Sequence, residues 1–198
     1  MKNIIAPSYK KWDEEQFSSY IDLFEFPKYK KIKVLSKGMK MKFAVAIALS
    51  HHADFIIMDE PTAGLDPVVR SELLDILQDI VMEDGETVFF STHITTDLDR
   101  IADYITFINV GGIVFTGEKD VLVETYVFVK GSNDLLDREG KELFVGLRKN
   151  KFGFEGLAKD KQTIIDWFGN EVVLEKPTLD EIIVYTAKGR GAYASARI

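Results

Sequence analysis

The sequence predicts an α/β fold built on a parallel sheet, and three observations support this prediction. The runs Phe55–Met58 and Thr87–Phe90 are short and apolar, which is typical of strands buried on both faces. A helical pattern of apolar residues separates them, and such strand–helix–strand units have parallel strands and a right-handed crossover. Polar residues follow both strands, at the edge where parallel sheets bind ligands.

Composition narrows the class of protein. The chain has 198 residues, a formal net charge of −7 and no cysteine, which excludes a disulfide scaffold and a zinc site with cysteine ligands. Its longest uninterrupted apolar run, Phe43–Leu49, is much shorter than a membrane span. A pI of about 5.1 argues against a general nucleic-acid binder. We therefore expect a cytosolic enzyme subunit with no nucleic-acid partner.

The first substantial helix is predicted to begin after Asp13, which forms a capping-box pattern with Gln16. Trp12 and Phe17 are spaced as a hydrophobic staple around this N-terminus. Apolar residues then continue at helical spacing and stop before Pro27. The pattern indicates an amphipathic helix with one face to bury.

The segment Leu35–Met39 is predicted to open a second helix that continues to about His52. Ser36 is a suitable N-cap, and Gly38 suits a position where the backbone approaches a neighbour closely. A helix N-terminus in basic surroundings favours anions, so we predict an anion site here. The alternative is a solvated lysine face on an ordinary helix. No Asp or Glu occurs in residues 26–53, whereas seven lysines crowd this part of the chain: Lys28, Lys30, Lys31, Lys33, Lys37, Lys40 and Lys42.

Asp59 and Glu60 end the first predicted strand. Two adjacent carboxylates at the edge of a core are costly unless a cation or a bound water uses them. Mg²⁺ prefers carboxylates and retained waters beside substrate phosphates, so Asp59 is a candidate metal ligand. Glu60 is then a candidate for polarising a water molecule. The alternative is that both carboxylates open a solvated turn.

Two further polar residues after the first strand are candidates for a role in the fold or the site. Asp66 is a good N-cap for the crossover helix, whose apolar pattern continues to Gly85. His93 follows the second strand, and parallel pairing brings the ends of both strands, and hence Glu60 and His93, to the same edge. A histidine after a strand is more often structural than catalytic.

The second half is predicted to contain a short helix around Leu98, a hairpin that turns at Gly111-Gly112, and a small α/β appendage. A last helix begins with a capping box at Thr178. The role of the appendage is open between packing, dimer contact and regulation. Residues 189–198 show no periodicity, which indicates a mobile tail. The other predicted elements of the appendage are strands at 126–130, 143–147 and 172–174 and a helix at 164–168.

Four ordered segments resemble the ATP-binding subunits of ABC transporters. In that family they are called the signature motif, Walker B, the D-loop and the switch histidine. Four motifs in this order within about 60 residues are a far more specific signal than any one of them alone. The appendage resembles the C-terminal extension of some bacterial export-type ABC ATPases. The segments are Leu35-Ser36-Lys37-Gly38-Met39, the strand into Asp59-Glu60-Pro61-Thr62, Ala63-Gly64-Leu65-Asp66, and Ser91-Thr92-His93.

The resemblance implies a P-loop NTPase-like core, here partial, with ATP and Mg²⁺ bound between two subunits. Asp59 would hold Mg²⁺, Glu60 would orient or deprotonate the attacking water, and His93 would contact the γ-phosphate. The implied partners are a transmembrane permease subunit and a second ATP-binding subunit, at the inner face of the cell membrane. The residues implied to contact nucleotide across the dimer are Leu35, Ser36, Lys37, Gly38 and Met39, and Asp66 would link the two sites.

Two residues depart from the commoner LSGGQ form of the signature motif. Lys37 replaces its first glycine and adds a positive charge, which would strengthen affinity for an anion. Met39 replaces its glutamine and removes an amide that could donate a hydrogen bond to the nucleotide. The acidic residues Asp59 and Glu60 of the Walker B motif are both present.

One motif that such a site requires does not occur in this sequence. The phosphate-binding loop has the form G-x-x-x-x-G-K-[ST], but no glycine precedes Gly38, and the pair Gly112 and Gly117 is followed by Glu118 instead of lysine. The chain therefore resembles the C-terminal part of an ABC ATPase, and we expect it to hydrolyse no ATP by itself. Two alternatives remain: a non-catalytic interaction or regulatory module, and an ABC-type ATPase that acts outside transport.

The predicted organisation has four parts. Residues 1–53 form part of a helical subdomain that includes the signature motif, and residues 54–122 form the C-terminal half of the ATPase core. Residues 123–188 form the small α/β appendage, and residues 189–198 form the tail.

Overall fold

The computed structural model describes residues 2–27, 29–84 and 87–194, without the side chains of residues 83–84 and 188–194. The chain divides into two compact units, residues 1–97 and 98–198. Both contain helices and strands, so the predicted α/β class is confirmed. Within the described ranges, no helix has the length and apolar character needed to cross a bilayer.

The first unit is mainly helical. Its three longer helices bury apolar side chains that include Phe17, Leu49 and Leu77. Short 3₁₀ turns occur at Ala6–Ser8 and Ile32–Val34, and a π-helical turn at Ile80–Asp84 follows the last of these three helices. The helices are α1 (Lys2–Ile5), α2 (Glu14–Leu23), α3 (Lys37–Leu49) and α4 (Pro67–Asp79), and α5 (Thr95–Ile101) crosses the boundary between the units.

The start of α2 confirms most of the predicted capping motif. Asp13 Oδ1 accepts a hydrogen bond from the Gln16 N–H at 2.9 Å, which lowers the pKa of Asp13. The rings of Trp12 and Phe17 pack with centroids 5.2 Å apart, as a hydrophobic staple requires. The reciprocal half of the box is missing, because the Asp13 N–H donates to the Ser50 carbonyl at 2.7 Å.

Two strands of the first unit, β1 (Phe55–Asp59) and β2 (Thr87–Ser91), pair in parallel. Ile57 lies opposite Phe89, and Asp59 lies opposite Ser91. With α4 between them along the chain, they confirm the predicted strand–helix–strand unit. The parallel register sets both carboxyl ends at one edge.

The prediction that these strands are buried on both faces is wrong for this chain. Phe55, Ile57 and Phe89 lie on one face and are 53%, 70% and 57% exposed, whereas Ile56 on the opposite face is buried. The rings of Phe55 and Phe89 stack with centroids 6.4 Å apart. An apolar run predicts a strand whose two faces are both covered by neighbouring elements. Among the described residues this sheet has two strands, and one of its faces is exposed.

The second unit begins with a hairpin of β3 (Tyr104–Asn109) and β4 (Gly112–Glu118). The hairpin was predicted, but its turn lies one residue earlier than expected. Val110 and Gly111 occupy the two central positions with φ of 48° and 74°, and two positive φ values indicate a type I′ turn.

An antiparallel sheet in the order β6-β7-β5-β8 forms the rest of this unit. Its general α/β character was predicted, but α6 and β7 were not. The β7 sequence contains Gly153 and Gly156, and glycine weakens the strand signal. The elements are α6 (Lys119–Thr125), β5 (Val127–Gly131), β6 (Phe144–Asn150), β7 (Gly153–Ala158), α7 (Lys161–Phe168), β8 (Val173–Glu175) and α8 (Leu179–Ala194), with 3₁₀ turns at Asn133–Leu135 and Gly140–Leu143.

The last helix begins at the predicted capping box. The Glu181 N–H donates to Thr178 Oγ1 at 3.2 Å, and the Thr178 N–H donates to Glu181 Oε2 at 2.8 Å. Leu179 and Ile182 are fully buried, which fixes α8 within the unit. The backbone stays helical to Ala194, so residues 189–194 of the expected tail are helical, and residues 195–198 lie outside the described residues.

The substitution Gly146→Ala is expected to destabilise the protein. A β-carbon at Gly146 in β6 would lie 2.3 Å from the carbonyl oxygen of Tyr185 in α8, and backbone atoms cannot yield cheaply. We expect the free energy of unfolding to fall by about 1–3 kcal/mol in urea titrations, the usual cost of overpacking. Gly112→Ala is the matched control, because its nearest atom is an ordinary 3.8 Å away. Equal losses in both variants would contradict the packing argument.

Candidate functional site

The carboxyl ends of β1 and β2 bring two predicted site residues into direct contact. Glu60 follows β1 and His93 follows β2, and His93 Nδ1 lies 2.7 Å from Glu60 Oε1. Their side chains are 36% and 73% exposed, so the pair is open to a ligand. The parallel topology predicted this meeting.

Asp59 lies beside this pair and is held by the opposite strand. The Ser91 hydroxyl donates to Asp59 Oδ1, and the Ser91 carbonyl accepts the Glu60 N–H at 3.0 Å. One residue of β2 therefore positions both acidic residues. The described residues contain no group of three or more acidic or imidazole side chains that could enclose a metal. Asp59 with waters and phosphate oxygens would nevertheless fit Mg²⁺, which retains several waters in such sites.

Glu60 has a strained backbone and an unsatisfied oxygen. Its φ is 47°, in the left-handed region that is costly for a residue with a β-carbon. Its Oε2 atom is buried and accepts no hydrogen bond from any described residue. A buried acceptor without a donor costs free energy, so this carboxylate is held against its hydrogen-bonding preference. Strain and an orphan acceptor at one residue are typical of functional sites.

A buried charged network holds the loop that follows Glu60. Thr62 Oγ1 donates to Asp97 Oδ2 at 2.5 Å, and Arg70 Nε donates to Asp97 Oδ1 at 2.7 Å. Arg70 Nη2 also donates to Thr96 Oγ1 at 2.6 Å. This network is not predictable from the sequence, because its members lie in different helices and loops and no local spacing relates them.

The N-terminus of α3 contacts the same loop through Lys37. Ser36 caps the helix by accepting the Met39 N–H at 3.2 Å, as predicted. Lys37 Nζ donates to the Ala63 carbonyl at 2.5 Å, so this charge is engaged within the chain. Leu35 is buried and anchors the turn before the helix.

Gly38 confirms the predicted close approach. A β-carbon at Gly38 would lie 2.5 Å from Val69 Cγ1 in α4, so α3 and α4 meet at this glycine. Asp66 is the N-cap of α4, because its Oδ1 accepts the Val69 N–H at 3.1 Å. The Ala63 N–H donates to the Glu60 carbonyl at 3.2 Å, and the Ala63 carbonyl accepts from Lys37. The loop therefore connects Glu60 to the start of α3.

Comparisons with known proteins found relatives for part of this chain. The family model described as "AAA domain, putative AbiEii toxin, Type IV TA system" matches residues 9–98. The Lantibiotic transport ATP-binding protein SrtF of Streptococcus pyogenes is 39% identical over 45% of this chain and 38% of its own length. The ABC transporter ATP-binding protein YtrB of Bacillus subtilis is 26% identical over 67% of this chain and 45% of its own length.

A solved dimeric, post-hydrolysis state of an ATP-binding cassette with ADP and Pi aligns with 52% of this chain and 46% of its own, at 24% identity and a TM-score of 0.47. The sequence relatives make this chain a homologue of the ATP-binding proteins of ABC transporters. It spans less than half the length of the two relatives described above.

A double-mutant cycle tests the contact between α3 and α4. Gly38→Ala alone should lower the free energy of unfolding by about 1–3 kcal/mol, because it overpacks against Val69. In a Val69→Ala background the same change should become neutral or stabilising, because alanine is favoured over glycine within a helix by about 1 kcal/mol. Chemical denaturation of the four proteins measures the coupling. Simple additivity would show that Gly38 is not at a close approach.

Proposed function

We propose that this chain is part of an ATP-binding subunit that powers an ABC transporter, and that it supplies half of a triphosphate site. The observation that carries the proposal is the 2.7 Å contact of His93 with Glu60 at the end of a parallel strand pair, next to Asp59. The named relatives support it, because both are described as ATP-binding proteins of transport systems.

Each residue at this edge has a role that its chemistry suits. Asp59 would hold Mg²⁺, which neutralises charge on the phosphates when bound. Glu60 would accept a proton from, or orient, the attacking water with its partly exposed carboxylate. His93 would contact the γ-phosphate while its Nδ1 stays on Glu60. Catalysis would consist of positioning and charge neutralisation, as phosphoryl transfer requires.

The start of α3 would serve a second nucleotide, held by a partner subunit. Ser36 and Gly38 would meet its γ-phosphate, with Leu35 and Met39 shaping the turn. Lys37 would exchange the Ala63 carbonyl for a phosphate oxygen. Asp66 would connect the two sites through the loop. A second ATP-binding subunit and a transmembrane permease are the proposed partners, which places the protein in the cytoplasm at the inner face of the membrane.

The other half of the site would come from a separate segment with a phosphate-binding loop. The exposed face of Phe55, Ile57 and Phe89 supports this, because a two-stranded parallel sheet with an uncovered apolar face needs further strands and helices to cover it.

The purified chain should therefore show no ATP turnover above background. Without backbone N–H groups and a lysine around the phosphates, the two carboxylates repel the triphosphate. Release of inorganic phosphate with Mg²⁺ and ATP measures this, and Glu60→Gln is the blank. Turnover that the wild-type chain has and Glu60→Gln lacks would show that the chain is complete without a companion.

Reconstitution tests the site itself. The chain is combined with a polypeptide that carries the phosphate-binding loop and preceding strands of an ABC ATPase, and turnover should appear. Glu60→Gln should then reduce turnover by about 10²–10⁴-fold, the usual contribution of a general base, while ATP binding persists. Glu72→Gln, an exposed carboxylate on α4, is the matched control and should keep full turnover. Full turnover in Glu60→Gln would remove Glu60 from its role.

The transport assignment has its own test. Affinity purification from detergent-solubilised membranes should recover an integral membrane protein together with the reconstituted pair. Recovery with ribosomes or DNA instead would favour an ABC-type ATPase that acts outside transport.

A further inference from the structure

We propose that Asp97 is a positioning residue that keeps Glu60 and His93 in contact. The catalytic meaning of this contact rests on the proposed function, but the contact itself belongs to the free chain. Asp97 touches neither residue of the pair. It acts through the two segments that carry them.

The Asp97 carboxylate has a single defined position. Its side chain is fully buried, and a buried carboxylate is tolerated only when it is paired and hydrogen bonded. Oδ1 lies 2.7 Å from Arg70 Nε and 2.6 Å from Arg70 Nη2, and Oδ2 accepts from Thr62 Oγ1 at 2.5 Å. Both oxygens are therefore occupied by short, charge-assisted or hydroxyl hydrogen bonds.

These partners connect the segment that carries Glu60 with the segment that carries His93. Thr62 lies two residues after Glu60 and is itself buried, so it cannot shift without moving the turn that carries Glu60. Asp97 lies four residues after His93, and its N–H donates to the Ile94 carbonyl at 3.1 Å. The Thr62–Asp97 bond thus fixes the segment after β1 against the segment after β2.

Arg70 adds a third element, helix α4, to this connection. From α4 it holds Asp97 and, at 2.6 Å, the hydroxyl of Thr96. The start of α5 is therefore tied to a helix as well as to the loop. A contrasting ion pair, Lys42 with Glu72 at 2.6 Å, joins α3 to α4 but does not involve the segments that carry Glu60 and His93.

A purely structural role would predict a different result. If the network only stabilised the fold, its loss would lower the unfolding free energy and leave the Glu60–His93 contact intact in the protein that remains folded. The measurement must therefore report on the His93 ring itself. The chain has three histidines, so imidazole ¹⁵N signals can be assigned one by one with His51→Gln, His52→Gln and His93→Gln.

The experiment compares His93 ring-nitrogen shifts in the full chain without nucleotide. Glu60→Ala removes the partner of His93 and defines the Nδ1 signal of the broken contact. Thr62→Val removes only the hydroxyl and should move the wild-type Nδ1 signal most of the way to that position. Thr62→Ser keeps the hydroxyl and should restore the wild-type signal. Asp97→Asn should shift it in the same direction as Thr62→Val.

Glu72→Gln is the control for loss of charge on α4 and should leave the signal unmoved. An unchanged His93 signal in Thr62→Val that is folded by circular dichroism would overturn the proposal, as would an equal shift in Glu72→Gln. If Asp97→Asn does not fold, Thr62→Val still decides. Failure here is distinguishable from failure of the proposed function, because these spectra contain no ATP and the turnover assays do not measure this signal.

Discussion

The parallel register of β1 and β2 is the constraint on which the candidate site depends. Pairing Asp59 with Ser91 places the ends of both strands at one edge, and only then can the side chain after β1 meet the one after β2. A register shift by one residue would turn each side chain of the shifted strand to the opposite face. The alternation of burial along β1 opposes such a shift, because Ile56 occupies the covered face.

The buried polar groups of the Asp97 network restrict the loop after Glu60 to one conformation. Asp97 can be buried because Arg70 and Thr62 satisfy it, and a buried ion pair that loses one partner costs about 3–5 kcal/mol. Alternative loop conformations would have to expose or orphan this carboxylate. The buried contacts of the loop therefore hold the backbone of Glu60 in its strained conformation.

Periodicity and capping chemistry predicted the elements whose signals are local. The N-caps at Asp13, Ser36 and Asp66 follow from side-chain oxygens that satisfy free N–H groups, and the structure has each of them. The meeting of Glu60 with His93 was predictable because topology alone determines it. The Asp97 network was not, because it depends on tertiary contacts between residues that are distant in sequence. The turn at Val110 was misplaced because a β-branched residue is rarely expected at positive φ.

The charges at the sheet edge bear on the proposal that this edge is half of a triphosphate site. Glu60 contacts the His93 imidazole, Asp59 accepts a hydrogen bond from the Ser91 hydroxyl, and Lys37 is bonded to the Ala63 carbonyl. Under that proposal a triphosphate would meet more negative than positive charge there, so cations and N–H donors would have to come from another segment. The same segment would need an apolar surface to cover Phe55, Ile57 and Phe89, which are exposed in this structure. One association with that segment would therefore both cover the apolar face of the sheet and supply the missing positive charge. ATP turnover would depend on both effects.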